Sequence, residues 1–331
     1  MRALTALTAI MVLLTVAPAS AIQETAPAFK TLSTRADSAR ATEEEPTALL
    51  LDADWLASNL GRPNLTVVDV GRDIYEFEAG HIPGASFVDK EWLSREVDGV
   101  PGMLVSSETM AVVLDAAGVS DTSTVIIYDE APGLWAARLF WALESYGHDD
   151  VHVLNGGWMN WICQGFDVEA HGPHIKDGGF RPVPVDGLAA TSEWILERLE
   201  DPNVIVLDVR TPEEFSGEEM KSARGGRVPG AVHFEWMGAL EPDGSGLFRP
   251  SDELLSRLAG LGVTPDREVV TYCQVGARAA HSYFMLKHLG FERVRVYDGS
   301  WAEWGNDPDL PAEGAEGVEG AREPEGDSVA E

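Results

Sequence analysis

The chain repeats itself, and this internal duplication constrains its fold more than any other feature of the sequence. Residues 67–72 (VVDVGR) recur as residues 206–210 (VLDVR), and residues 154–161 (LNGGWMNW) recur as residues 297–304 (YDGSWAEW). Matching positions lie 139 to 146 residues apart, and small drifts of this kind are what loop insertions produce. The sequence therefore predicts two domains of the same fold.

Each half alternates short apolar runs with segments of helical periodicity. Runs 65–70 and 125–128 lack the polar alternation of a strand with one solvated face, which predicts strands buried on both faces of a parallel sheet. Segments 110–117 and 135–146 carry apolar residues at helical spacing. An α/β fold is therefore predicted for both halves.

The ends and the middle of the chain differ in composition from the two repeats. Residues 1–21 combine Arg2, an apolar run and small residues before a cleavage point, which is typical of a secretory signal. We therefore expect an exported protein, periplasmic or extracellular, without a membrane segment after signal cleavage. The other predicted segments are a disordered lead (22–48), a first domain (49–166), a linker (167–186), a second domain (187–309) and an acidic disordered tail (310–331).

The chain is strongly acidic, with a formal net charge of −31 and an isoelectric point near 4.4. Such a charge argues against nucleic acid and anionic membrane surfaces as partners. It agrees equally with adaptation to high salt and with a simple requirement for solubility. The sequence does not determine the oligomeric state.

The two halves differ most where a strand-like run ends and a helical segment begins. The first half has Tyr128-Asp129 at this point, and the second has Tyr272-Cys273. A thiol at a helix start faces unpaired backbone N–H groups and the positive end of the helix dipole, which stabilise a thiolate and an anion bound beside it. Arg278 adds a permanent positive charge there. Of the two equivalent positions, only the second can carry out cysteine chemistry.

The other cysteine and a pair of histidines have simpler interpretations. Cys163 lies in a tryptophan-rich stretch and is predicted to be a buried structural thiol, rather than the disulfide partner of Cys273. His171 and His174 have a spacing that suits a metal, but they lie in a segment rich in glycine and proline without nearby carboxylates or thiols. We interpret them as part of the linker.

Two groups of charged residues in the second half have alternative interpretations. Asp208 and Arg210 lie at the end of a predicted strand beside the Cys273 segment, where open α/β sheets bind ligands, but they also suit a structural ion pair. Lys221, Arg224 and Arg227 form a basic cluster that suits either the steering of an anionic substrate or a solvated loop.

Taken together, these motifs resemble the rhodanese family, specifically its tandem two-domain sulfurtransferases, over residues 49–306. The resemblance is carried by the repeated Asp-Val and Pro-Gly-Ala patterns, the Cys-x-x-Gly-x-Arg segment at residues 273–278, and the motif at residues 298–304. It implies two tandem rhodanese-like domains, each with a five-stranded parallel sheet flanked by helices. It also implies a persulfide intermediate on Cys273.

For the reaction, the resemblance implies that the Cys273 thiolate takes the outer sulfur of a small anionic donor such as thiosulfate. A thiophilic acceptor, cyanide or a thiol, then removes that sulfur. We expect no metal and no organic cofactor. The predicted substrate-binding residues are Gln274, Val275, Gly276, Ala277 and Arg278, with Arg210 as a further candidate.

Three other functions are compatible with a cysteine at a helix start. Relatives that prefer 3-mercaptopyruvate resemble one another in an uncharged loop, whereas Gln274 and Arg278 favour thiosulfate here. A slow sulfur carrier or persulfide-binding module would use the same Cys273. A phosphatase or arsenate reductase is disfavoured, because related folds that bind phosphate place five residues between cysteine and arginine, and this chain has four.

Overall fold

Two parallel sheets, one in each half, form the framework of the protein. The computed structural model describes residue 46 and residues 48–172 and 178–314. Within these residues each half contains a five-stranded sheet whose neighbouring strands are all parallel. Helices cover both faces of such a sheet, which explains why its strands are apolar runs without polar alternation.

The first half orders its sheet β1-β7-β6-β2-β3. Strands β4 and β5 stand apart from this sheet and form an antiparallel hairpin. In chain order the strands are β1 (Leu50–Leu51), β2 (Leu65–Val70), β3 (Ser86–Val88), β4 (Ser94–Val97), β5 (Val100–Leu104), β6 (Thr124–Tyr128) and β7 (Val151–Leu154).

The second half repeats this order as β8-β12-β11-β9-β10. The register repeats as well, because Asp69 pairs with Tyr128 in the first sheet and Asp208 pairs with Tyr272 in the second. The place of the β4–β5 hairpin is taken by a single antiparallel bridge between Leu240 and Phe248. The strands are β8 (Ala189–Ala190), β9 (Val204–Asp208), β10 (Val232–His233), β11 (Glu268–Tyr272) and β12 (Val294–Tyr297).

Helices connect successive strands in both halves. Several begin at a capping side chain, for example Ser106, whose hydroxyl accepts the N–H of Thr109. The helices are α1 (Ala53–Asn59), α2 (Ile74–Ala79), α3 (Ser107–Ala116), α4 (Leu134–Ser145), α5 (Gly157–Cys163), α6 (Ser192–Leu196), α7 (Pro212–Ser216), α8 (Ser251–Gly260), α9 (Ala277–His288) and α10 (Ser300–Trp304).

Helices α4 and α9, which are equivalent in the two halves, pack against each other and join the halves through one continuous apolar core. The rings of Phe140 and Phe284 meet edge to face, 4.9 Å between centroids. The hydroxyl of Tyr283 donates to the carboxylate of Glu144 across the same interface at 2.7 Å. Helix α4 is apolar nearly all round because it is buried between two domains, and a solvated helix would have one polar face.

The predicted fold class is confirmed in its architecture: two α/β domains, each with a parallel five-stranded sheet flanked by helices. The residue-level domain boundaries stay predictions. The predicted signal (1–21), most of the lead, part of the linker and most of the tail lie outside the described residues. None of the helices in the described part of the chain combines the length and the apolar character needed to cross a membrane.

Candidate active site

Cys273 directly follows β11 and stands four residues before the start of α9, at the carboxyl edge of the second sheet. The turn into the helix is made by Gly276, which has a φ of 85°. A Cβ added at Gly276 would lie 2.4 Å from Oδ1 of Asp298. Both the left-handed backbone and this close contact require glycine. The thiol therefore lies at a helix start, as the sequence predicts.

The backbone around Cys273 is held by the start of α10. The N–H of Cys273 donates to the hydroxyl of Ser300 at 3.1 Å, and its carbonyl accepts the N–H of Trp301 at 2.9 Å. The carbonyl of Gln274 accepts the N–H of Ala302 at 2.9 Å. Cys273 is 1% exposed. These three hydrogen bonds determine where the thiol lies relative to the helix start.

The equivalent loop of the first half shows what such a helix start binds. Asp129 occupies the position of Cys273, and its carboxylate accepts three backbone N–H groups, from Gly133 at 2.9 Å, Trp135 at 2.9 Å and Ala136 at 3.3 Å. Burial raises the pKa of Asp129 to about 6, although these hydrogen bonds favour the charged form. The carboxylate is therefore an internal anion held by the start of α4.

The matching N–H groups in the second half belong to Gly276, Arg278 and Ala279. Gly276 matches Gly133 because each is the left-handed residue just before its helix, with φ values of 85° and 86°. Cys273 has no carboxylate to place among these donors. A negative charge on its sulfur, or on a sulfur bound to it, can use them instead.

Arg278 forms a bidentate ion pair at the rim of this loop. Its two terminal nitrogens donate to the carboxylate of Glu214 at 2.6 and 2.9 Å, and the ammonium of Lys221 lies 3.3 Å from the same carboxylate. Burial opposes the charge of Arg278, but Glu214 and Cys273 outweigh it and raise the pKa of Arg278 above its usual range. The guanidinium therefore stays charged beside the thiol.

Glu214 is a residue of this site that the sequence analysis did not identify. It closes a capping box at the start of α7, where its side chain accepts the N–H of Thr211. Burial alone would raise its pKa, but the hydrogen bonds from Arg278 and Thr211 lower the pKa of Glu214 to about 2. The capping box was visible in the sequence, but its contact with Arg278 spans 64 residues and was not.

Arg210 lies in a buried ion pair. It donates to Asp208 through Nε at 2.9 Å and Nη2 at 2.6 Å, and to the carbonyl of Gly226 at 2.7 Å. The first half repeats the arrangement with Arg72 and Asp69 at 2.9 Å. These contacts match the ion-pair interpretation of Arg210, and substrate binding by this residue stays a prediction.

The basic cluster of the second half is largely engaged in structural contacts. Arg224 donates to the carbonyls of Trp304, Asp307 and Leu310, and Arg227 pairs with Glu313. Lys221, paired with Glu214, is the member connected to the candidate site.

The remaining residues of the predicted loop lie as follows. The amide of Gln274 donates to the hydroxyl of Ser222 at 3.1 Å, which anchors the loop to the segment after α7. Val275 is 37% exposed and lies close to Gly102 of the first half. Ala277 is buried at the start of α9.

The prediction that Cys163 is buried is wrong. Cys163 ends α5 and is exposed, and both cysteines are free thiols. Trp158 and Trp161 of the same helix do face the core, but with 3.6 residues per turn Cys163 lies on the opposite side from Trp161. Of the two histidines considered as metal ligands, His174 lies outside the described residues. The described residues contain no group of three or more His, Cys, Asp or Glu side chains placed to hold a metal ion.

Comparison with known proteins gives consistent results. A family model described as the rhodanese-like domain matches residues 52–163 and 191–307. The chain is similar to the thiosulfate sulfurtransferase of Pseudomonas aeruginosa, with 37% identity covering 80% of this chain and 97% of that protein. It is also similar to the sulfur carrier protein TtuD of Thermus thermophilus, with 34% identity covering 78% and 94%. Among solved structures, wild-type EanB matches with a TM-score of 0.69 and 27% identity, covering 80% of this chain and 69% of that one.

Proposed function

This chain belongs to the rhodanese family as a tandem pair of rhodanese-like domains, and on this premise we propose that it is a thiosulfate sulfurtransferase acting through a Cys273 persulfide. Sulfurtransferase activity in general is supported by its relatives, several of which are named thiosulfate sulfurtransferases. The observation that carries the finer proposal is the pair of equivalent loops. One holds a carboxylate with three N–H donors, and the other presents a thiol to the same kind of helix start.

In the first step the Cys273 thiolate attacks the outer sulfur of thiosulfate. A new sulfur–sulfur bond forms, the sulfur–sulfur bond of thiosulfate breaks, and its electron pair leaves with sulfite. The N–H groups of Gly276, Arg278 and Ala279 stabilise the charge on the terminal sulfur of the persulfide. They are fixed in advance by the start of α9, so little reorganisation is needed.

In the second step a nucleophile takes the terminal sulfur. Cyanide carbon attacks it, the bond to the Cys273 sulfur breaks, and thiocyanate leaves while the thiolate is regenerated. A thiol acceptor reacts in the same way to give a new persulfide. Because Cys273 is 1% exposed, both partners must enter a buried site, and Arg278, Glu214 and Lys221 form a charged rim beside it.

The position of Arg278 supports thiosulfate as the donor. Lys221 is shared between Glu214 and Glu219, each 3.3 Å from its ammonium, whereas the guanidinium of Arg278 lies beside the Cys273 thiol. A small dianion gains more from a guanidinium at this position than a donor with a single carboxylate such as 3-mercaptopyruvate. The latter remains the alternative donor.

The similarity to TtuD supports a second candidate, a sulfur carrier that passes the sulfur of Cys273 to a protein partner. The two functions differ in turnover. An enzyme releases thiocyanate repeatedly from thiosulfate and cyanide, whereas a carrier accumulates one persulfide per chain and releases it slowly without its partner.

The test is turnover of the full-length protein with thiosulfate, 3-mercaptopyruvate and an aryl phosphate under identical conditions. We expect repeated thiocyanate formation with a higher kcat/KM for thiosulfate than for 3-mercaptopyruvate, and no phosphate release. Mass spectrometry of the protein after thiosulfate alone should show one added sulfur on the peptide that contains Cys273. A preference for 3-mercaptopyruvate, or release of phosphate, would contradict the proposal.

We also propose that the protein is exported, on the strength of the signal-like pattern in residues 1–21. Expression of the full-length chain in a bacterium followed by cell fractionation tests this. We expect the mature protein outside the cytoplasm with its N-terminus at Ile22. A cytoplasmic protein that retains residues 1–21 would contradict it.

A further inference from the structure

A buried ion pair links the half without the thiol to the turn that holds Cys273. Arg138 lies on α4 with its side chain fully buried, and it donates to Asp298 at 2.6 Å and to the carbonyl of Gly102 at 2.8 Å. The second carboxylate oxygen of Asp298 accepts the N–H of Leu104 at 2.6 Å. The carboxylate thus accepts one hydrogen bond from α4 and one from β5, both in the first half.

Asp298 stands next to the residues that hold the thiol. It begins the turn in which Ser300 and Trp301 bind the N–H and the carbonyl of Cys273. The loop also rests directly on the pair, because a Cβ on Gly276 would lie 3.0 Å from a terminal nitrogen of Arg138. One turn therefore connects the first half to the backbone of Cys273.

The residues equivalent to Arg138 and Asp298 that lie near the Asp129 loop carry no charges at neutral pH. Asn155 stands where Asp298 does and accepts the N–H of Phe248 at 3.1 Å, while Trp158 donates to the carbonyl of Asp129 at 2.8 Å. His281 of α9 stands where Arg138 does. Burial lowers the pKa of His281 to about 4, so it is neutral at neutral pH. Neutral side chains at both positions therefore suffice to build this interface.

A buried ion pair contributes little net stability, because removing both charges from water offsets most of their attraction. The ion pair of Arg138 and Asp298 nevertheless lies beside the loop that carries Cys273, and among the described residues the Asp129 loop has no equivalent ion pair. Two short charge-assisted hydrogen bonds restrict a carboxylate to a narrower range of positions than a neutral amide with one. The benefit of the charges is therefore expected in the placement of the adjacent turn.

We propose that Arg138, acting through Asp298, is a positioning residue that holds the Cys273 backbone in the geometry needed for sulfur transfer. The first half thus contributes to the active site although it carries no thiol there. The proposal rests on the sulfur-transfer function proposed above for its turnover measurement. Its second measurement, the alkylation rate of Cys273, does not depend on the sulfur donor.

The decisive variant places the neutral side chains of the other half at these two positions, Arg138→His with Asp298→Asn, in the full-length protein. We expect a melting temperature within a few degrees of the unchanged protein, and kcat for thiosulfate and cyanide lower by about 10- to 100-fold, since small misplacements of reacting groups cost this much. The KM for thiosulfate should change less than threefold. The rate of Cys273 alkylation by iodoacetamide should change several-fold.

Two further variants serve as controls. Arg138→Lys retains the charge and should lower kcat less than the double variant does. Asn155→Ala removes the hydrogen bond between Asn155 and Phe248, near the Asp129 loop, and should change neither kcat nor the rate of Cys273 alkylation. Unchanged kcat and alkylation in the double variant would overturn the proposal, and so would its failure to fold or an equal loss in Asn155→Ala. If the unchanged protein shows no turnover, the proposed function fails, and the alkylation rates still decide this inference.

Discussion

The Asp129 loop and the Cys273 loop are two versions of one structure. Both follow the central strand of a five-stranded sheet, both turn into a helix through a left-handed glycine, and both are held by the helix start that follows the next strand. In the first half the side chain fills its own anion site with a carboxylate. In the second half a free thiol stands at this position, so the same fold gives once a loop that binds its own carboxylate and once a loop that carries a thiol.

A second difference lies beside the loops. Arg278 is the second residue of α9, and the second residue of α4 is Trp135. Arg278 is paired with Glu214, and the equivalent glutamate of the first half, Glu76, caps its own helix and is exposed. The charged rim is therefore specific to the second half. This comparison suggests that the fold supplies the anion site and that a few side chains decide its chemistry.

Moving the thiol from one loop to the other should give the largest effect. Cys273→Ser should lower thiocyanate formation on the order of 1,000-fold or more, because a serine hydroxyl is a far weaker nucleophile at neutral pH. Adding Asp129→Cys to that variant should not restore activity, since Trp135 stands where Arg278 does. Recovery of turnover in the double variant would show that any thiol at such a helix start is sufficient.

Removing the charge of the rim should have the next largest effect. In Arg278→Thr we expect the KM for thiosulfate to rise roughly 10- to 100-fold, the range for a lost hydrogen bond to a charged group. Initial rates at varied thiosulfate measure this. Arg181→Thr makes the same change in an ion pair between the predicted linker and Asp121 of the first half, and it should leave KM unchanged. An unchanged KM in Arg278→Thr would remove Arg278 from donor binding.

Neutralising the partner of Arg278 should act in the opposite direction. Glu214→Gln removes a negative charge from the rim, so KM for thiosulfate should fall roughly 3- to 10-fold, as about 1 kcal/mol of lost repulsion predicts. Glu76→Gln is the matched change in the first half and should have no effect on KM. A higher KM in Glu214→Gln would instead mean that Glu214 is needed to orient Arg278.

The smallest expected effect is on the pH dependence of stability. The pKa of Asp129 is about 6 in the folded protein and near 3.9 in an unfolded chain, so the unfolded state releases its proton first as pH rises. The stability that this group contributes at low pH is therefore lost between about pH 4 and pH 6. Between pH 5 and pH 7 the advantage of the unchanged protein over Asp129→Asn should fall by about 1 kcal/mol.

Urea unfolding at the two pH values measures the free energy of unfolding. Subtracting the value for Asp129→Asn from that of the unchanged protein at the same pH removes the contribution of the other titrating groups. Asp121→Asn is the control, because hydrogen bonds from the backbone and side chain of Arg181 lower the pKa of Asp121. The free energy of unfolding of the unchanged protein relative to Asp121→Asn should not decline as pH rises. A pH-independent difference between the unchanged protein and Asp129→Asn would contradict a raised pKa of Asp129.

The sequence was most informative where the two halves could be compared. The repeated motifs predict two α/β domains, and the change from Asp129 to Cys273 identifies which helix start carries the thiol. These inferences rely on contacts between neighbours along the chain: an apolar run becomes a buried strand, and the residue after it stands at a helix start. Cys163 shows the limit, because its exposure depended on which face of a short helix met the core.

What the tertiary structure alone decided are contacts between residues far apart in the chain. The pairing of Arg278 with Glu214 spans 64 residues, and that of Arg138 with Asp298 spans 160. Periodicity and motif spacing describe local geometry and cannot specify which distant charges meet in a buried interface. The sequence by itself thus determined the scaffold and the position of the thiol that we propose as the nucleophile. The folding of the second half decided that Glu214 meets Arg278 beside Cys273, and the contact between the halves decided that Arg138 meets Asp298.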